Sequence, residues 1–80
     1  MSYFTYVLKS MKNGKFYIGY TSDLNQRIKL HNLGKNIATK KDKPWNLFYV
    51  EELADETDAI RREHQIKSWK SRKMMERLKF

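Results

Sequence analysis

The chain has no cysteine, a single proline, three glycines and two histidines among its 80 residues. Each scarcity removes a class of protein. Without cysteine there is neither a disulfide framework nor a thiolate metal site, which suits a reducing compartment, and two histidines are too few for a His-rich zinc centre. One proline and three glycines leave no low-complexity linker, and no internal repeat is found, so residues 1–80 read as a single domain. No apolar run approaches the roughly 20 residues that span a bilayer. The opening MSYFTYVLKS also lacks the charged start and long apolar stretch of a secretory signal. The expectation is a soluble, unprocessed, cytoplasmic protein.

What the chain does have is positive charge. Seventeen Lys and Arg stand against nine Asp and Glu, a formal net charge of +8. The signs are segregated. The stretch KNIATKKDKP carries Lys35, Lys40, Lys41 and Lys43 against Asp42, EELADETD is acidic, and RREHQIKSWKSRKMMERLK is again strongly basic. Such segregation points to a polyanionic partner, nucleic acid first, ahead of a charged solvated surface or a membrane surface. The acidic run reads as a solvated turn and helix start.

Hydrophobic periodicity divides the chain into six elements. SYFTYVLK alternates as a strand, MKNGK supplies the Asn-Gly pair that type I′ hairpins prefer, and KFYIGY is the antiparallel partner. TSDLNQRIKLHNLG predicts a helix capped by Ser22 or Asp23, with Leu24, Ile28 and Leu30 inside and Gly34 just past its end. After a polar loop stopped by Pro44, WNLFYVEEL is rich in β-favouring residues. Asp55 or Thr57 caps a helix through Ala59, Ile60, Ile66 and Trp69, and Ser71 caps a last short one whose Met74, Met75 and Leu78 pack back. The predicted class is α+β: a three-stranded antiparallel sheet flanked by helices in the order β-β-α-β-α-α.

Several side chains carry possible chemistry. Arg27 and His31 stand at i,i+4 on one side of the first helix, beside Leu24 and Ile28. A guanidinium there can hold a phosphate and an imidazole can move a proton, or both can simply border an amphipathic helix and snorkel outward. Glu63 falls within the most apolar arc of its helix, among Ala59, Ile60 and Ile66. A carboxylate so placed must be protonated, paired with Arg61 or Arg27, or bound to a metal ion. Tyr6 and Tyr17 fall in the paired strands, close together if the Asn-Gly turn sets the register. Each alone reads as core more often than as chemistry. Trp45 and Trp69 read as packing residues.

Taken together, TYVL, then YIG, QRIKLH and a helix bearing RREHQIK resemble the GIY-YIG nuclease superfamily. The resemblance is closest to its small stand-alone UPF0213 branch, which is related to the N-terminal nuclease domain of the C component of excinuclease ABC. HNLGK, the Thr39 to Pro44 loop, FYVEE and AIRRE extend the likeness over essentially the whole chain.

The resemblance implies a divalent-metal-dependent endonuclease. By matching position it implies Tyr6 and Tyr17 as the motif tyrosines, Gly19 as the site of close backbone approach, and Arg27 as the cation on the phosphate. It further implies His31 as the companion of Arg27, Glu63 as the metal ligand, and one Mg²⁺ or Mn²⁺ as cofactor. The expected partner is DNA rather than RNA, cut with low sequence specificity and gripped by Lys35, Lys40, Lys41, Lys43 and the C-terminal basic residues. Two departures stand out: the first motif reads Phe4-Thr5-Tyr6, and no asparagine follows Asn46. A binding module that keeps the fold without hydrolysis is the alternative.

Overall fold

The computed structural model describes residues 2–69 and 71–78. Strands β1 (Tyr3–Ser10), β2 (Phe16–Thr21) and β3 (Trp45–Leu53) form one antiparallel sheet in the order β2-β1-β3. Helix α1 (Leu24–Asn32) follows the hairpin, and α2 (Glu56–Ser68) and α3 (Arg72–Glu76) follow β3. This is the expected α+β order, with a short 3-10 turn at Lys40–Asp42 added in the loop before β3.

The central strand is covered on both faces. On one, Leu24 and Ile28 of α1 join Tyr17, Leu47 and Val50 around Tyr6, Leu8 and Trp45. On the other, Val7, Ile66 and Met75 gather Phe16, Ile18, Phe48, Tyr49, Trp69 and Leu78. Thr5, Tyr6, Val7 and Leu8 are therefore buried in succession. The polar member survives because the Thr5 hydroxyl donates to the Ala59 carbonyl at 2.8 Å. Between Val7 and Leu8 the pairing of β1 with β3 shifts by one residue, a bulge that lets adjacent Phe48 and Tyr49 face the same cluster. Trp45 and Trp69 both pack, as expected.

Local chemistry sets the helix ends. Asp23 caps α1 by accepting from the Gln26 N–H, Asp55 caps α2 by accepting from Asp58, and Ser71 caps α3 by accepting from Met74. Beyond α1, Gly34 has φ of 77°. There its N–H donates to the His31 carbonyl at 3.2 Å and that of Lys35 to Leu30 at 3.0 Å, a Schellman closure that needs a left-handed residue.

Two expectations are corrected. The β1–β2 connection is not a two-residue Asn-Gly turn: Ser10 N–H donates to the Lys15 carbonyl at 2.8 Å, so the chain turns through Met11 to Gly14. The cause is the Ser10 hydroxyl, which accepts from the N–H groups of Lys12 and Asn13 at 3.1 and 3.2 Å and organises a wider loop. In α3, Met75 is buried and Met74 points outward, and Leu78, just beyond the helix, is half-buried. A helix this short offers the second core cluster only one stripe.

Candidate active site

A cleft of about 370 Å³ opens where β1, β2, α1 and α2 converge. Tyr6, Tyr17, Gly19, Arg27 and Glu63 line it, joined by Tyr3, Tyr20, Thr21, Ser22 and Glu56. Four elements thus bring five of the sequence-predicted residues to one place.

The strand register explains the tyrosine pair. Tyr6 stands opposite Gly19 and Leu8 opposite Tyr17, so all four share one face of the sheet, and the Tyr6 and Tyr17 ring centroids are 6.5 Å apart. A Cβ on Gly19 would lie 2.6 Å from the Tyr6 hydroxyl and 2.8 Å from its Cζ. The missing side chain is what lets the Tyr6 ring lie across β2. The close approach expected at Gly19 is therefore made by Tyr6 itself.

Behind Tyr6 lies a buried polar chain. The Tyr6 hydroxyl is 2.9 Å from His31 Nε2, and His31 Nδ1 is 2.7 Å from Thr39 Oγ1. Tyr6 is 1% exposed, and His31 and Thr39 are 0% exposed. Burial pushes the Tyr6 phenol above its ordinary value; neighbouring Tyr17 adds to this, Arg27 opposes it and Glu63 adds a little more. Burial, and then the Arg27 cation, push His31 down. At neutral pH the site accordingly holds a neutral phenol on a neutral imidazole.

His31 departs from the expectation that it joins Arg27 on the cleft. Arg27 is exposed and lines the cleft, whereas His31 is the one buried residue of α1 and faces the inner side of Tyr6. One helical turn separates them, and that turn carries the helix from the cleft edge into the core. Nor does His31 snorkel outward, because Tyr6 and Thr39 satisfy both ring nitrogens.

Among the described residues the Arg27 guanidinium makes no ion pair, and it stands near enough to Tyr6 and His31 to influence both. Glu63 is buried, as its place on the helix required, but neither expected partner takes it. Arg61 is 3.9 Å from Asp58, and the groups nearest Glu63 Oε1 are the Lys67 ammonium at 3.6 Å and the His64 ring at 3.7 Å. Both distances exceed a good hydrogen bond, and both partners are largely exposed, so they compensate a buried charge poorly. Among the described residues no group of three or more His, Cys, Asp or Glu is gathered for a metal ion. An under-compensated carboxylate, with Glu56 the one other acid lining the cleft among the described residues, fits a hard ion that keeps most of its waters, Mg²⁺ or Mn²⁺, and does not fit a protein-caged metal.

The basic residues expected to grip nucleic acid lie elsewhere. Lys35, Lys40, Lys41 and Lys43 are exposed beyond the end of α1. Their loop is tied to the hairpin turn: Lys12 donates to the Lys41 carbonyl at 3.0 Å, Met11 N–H to Pro44 at 2.9 Å, and Asn13 to the Asp42 carboxylate at 2.7 Å. That turn lies beyond Ser10, four residues along β1 from Tyr6, roughly 13 Å at the usual rise of a strand. Lys70 and Lys79 lie outside the described residues.

Sequence reasoning missed Tyr3, Tyr20, Glu56 and Thr39. Alternation assigns Tyr3 and Tyr20 to the face opposite Tyr6, and only the position of the cleft at the sheet margin exposes them to it. Glu56 had a signal, standing two turns before Glu63 on the same side of α2. Thr39 had none, being one polar residue of a polar loop.

The fold has known relatives. The GIY-YIG catalytic domain family matches residues 2–77, and the chain belongs to that family, whose fold is of the nuclease type. Within it, the chain falls in the small stand-alone UPF0213 branch. UPF0213 proteins of Staphylococcus aureus strains Mu50 and N315 are 34% identical to it over 79 residues, 98% of this chain and 95% of theirs. The solution NMR structure of the UPF0213 protein BH0048 from Bacillus halodurans matches with a TM-score of 0.57 and 34% identity, covering 95% of this chain and 80% of that one. GIY-YIG nucleases are generally metal-dependent and the family implies a nucleic acid substrate. Among the described residues no helix is long and apolar enough to cross a membrane.

Proposed function

We propose that this chain is a single-domain, divalent-metal-dependent endonuclease that hydrolyses DNA phosphodiester bonds with low sequence specificity. One observation carries the reading: Tyr6, Tyr17, Arg27 and Glu63, from four separate elements, line one cleft. Within it the cation has no ion pair among the described residues and the carboxylate has only distant, exposed partners. Structural residues pair with each other. These remain available for a ligand with both a phosphate and a metal ion.

In this reading Glu63 would hold the ion, which when bound would supply positive charge beside the phosphate. Arg27 provides a second, fixed cation where negative charge grows. Tyr6 stays neutral until the reaction. Its oxygen takes the proton of the attacking water while its own proton passes to His31 Nε2, 2.9 Å away. Tyr17 orients the water. Recognition runs through phosphates and DNA shape, because phosphate contacts carry no sequence information themselves.

A nicking assay on supercoiled plasmid with Mg²⁺ or Mn²⁺, with and without EDTA, tests the proposal. Metal-dependent conversion to open circles is the expected result. DNA binding with no cleavage of plasmid, branched or single-stranded substrates under either metal would replace the enzyme with a binding module.

A further inference from the structure

The loop between α1 and β3 is the least regular part of the chain, yet it contributes one of its most buried hydroxyls. Thr39 is 0% exposed. Its Oγ1 lies 2.7 Å from His31 Nδ1 and 3.5 Å from the Asn36 carbonyl, and its own carbonyl accepts from the Trp45 indole N–H at 2.9 Å. The indole bond holds the residue against the core cluster, so the hydroxyl has little freedom to turn away.

A neutral imidazole carries one proton, and the surrounding groups decide where it sits. Suppose first that Thr39 donates to Nδ1. Then Nε2 bears the proton and donates to the Tyr6 oxygen, and the Tyr6 O–H, in a side chain 1% exposed, has no protein acceptor among the described residues and only the cleft to point into. In the opposite arrangement every group has a protein acceptor, the longest reach being the 3.5 Å from Thr39 Oγ1 to the Asn36 carbonyl. Tyr6 O–H donates to Nε2, Nδ1–H donates to Thr39 Oγ1, and the Thr39 hydroxyl donates to the Asn36 carbonyl. Nearly buried polar groups pair with fixed protein partners where these are in place, and only the second arrangement pairs all of them within the protein.

We infer that Thr39 is a positioning residue, whose buried hydroxyl holds His31 as the Nδ1–H tautomer and thereby turns the Tyr6 proton inward. The phenol oxygen then offers its lone pairs to the cleft, the orientation a proton acceptor needs. The value of this orientation for cleavage rests on the nuclease reading. The tautomer itself does not.

Two-bond ¹⁵N–¹H correlation spectra of the full chain, recorded well above the ordinary histidine range, read the tautomer directly. Wild type and Thr39→Ser are expected to show His31 with a protonated Nδ1 and a bare Nε2, and Thr39→Val to lose that pattern. Nicking by Thr39→Val should fall roughly 10- to 100-fold, as for other partners that orient a working imidazole, with Thr39→Ser restoring most of it. A protonated Nε2 in wild type, or an unchanged pattern in a folded Thr39→Val, overturns the inference. If Thr39→Val does not fold, the wild-type spectrum still decides. Should the tautomer be as assigned while wild type cleaves nothing, the nuclease reading fails and the positioning role stands.

Discussion

The Tyr6 hydroxyl occupies the space that a side chain on Gly19, its cross-strand partner, would fill. Replacing Gly19 by alanine sets two effects against each other. Lower chain entropy in the unfolded state favours alanine by about 0.4–1 kcal/mol. The new Cβ, however, meets the rigid ring at 2.6 and 2.8 Å, and overpacking of this kind costs about 1–3 kcal/mol. The clash wins. Gly19→Ala should unfold at lower urea concentration, with a smaller penalty in a Tyr6→Phe background, where the nearest clashing atom is gone.

Arg27 separates function from stability. It is exposed, unpaired among the described residues and on a helix where alanine is favoured. Arg27→Ala should change stability by no more than about 0.5 kcal/mol and lower nicking roughly 100- to 1,000-fold. Because Arg27 pulls down both His31 and Tyr6, its loss should raise the His31 titration midpoint seen by NMR.

His31 makes the fold acid-sensitive. Its folded value lies below the ordinary 6.5. As pH falls below 6.5 the unfolded chain takes up the proton first, so stability drops between 6.5 and the folded value and is level above 6.5. Urea titrations across this range should show that slope in wild type and a weaker one in His31→Gln. The variant should also be less stable at neutral pH, by about 1–3 kcal/mol for a disrupted buried hydrogen-bond chain.

The lysines beyond α1 should grip without cutting. Replacing Lys40, Lys41 and Lys43 by alanine should reduce the slope of log binding constant against log salt by about 0.9 for each phosphate no longer neutralised. Cleavage at saturating DNA should be unchanged, since none of the three lysines lines the cleft.

What was legible in the sequence was what is local. Asp23, Asp55 and Ser71 cap through neighbours three residues on, Gly34 closes α1, and β-favouring runs became strands. Glu63 was legible too, because helical spacing placed a carboxylate on an apolar face and burial followed. His31 was not. Its burial depends on Thr39, eight residues away in an irregular loop, and on Tyr6 in another element. The hairpin register was likewise decided by a serine hydroxyl that competes with the Asn-Gly preference. Tyr3 and Tyr20 reach the cleft only because strands end there, which alternation does not encode.

Glu63 offers the most direct test of the whole account. Glu63→Gln keeps the side chain's shape and removes a charge whose partners are distant, so the variant should fold as well as wild type and bind DNA with the same affinity. The measurement is single-turnover cleavage of saturating plasmid across a Mg²⁺ titration, wild type beside Glu63→Gln. Metal-dependent cleavage by wild type, absent from an equally folded and equally bound variant, is the predicted result. Cleavage by the variant with the same rate and metal dependence would contradict the account.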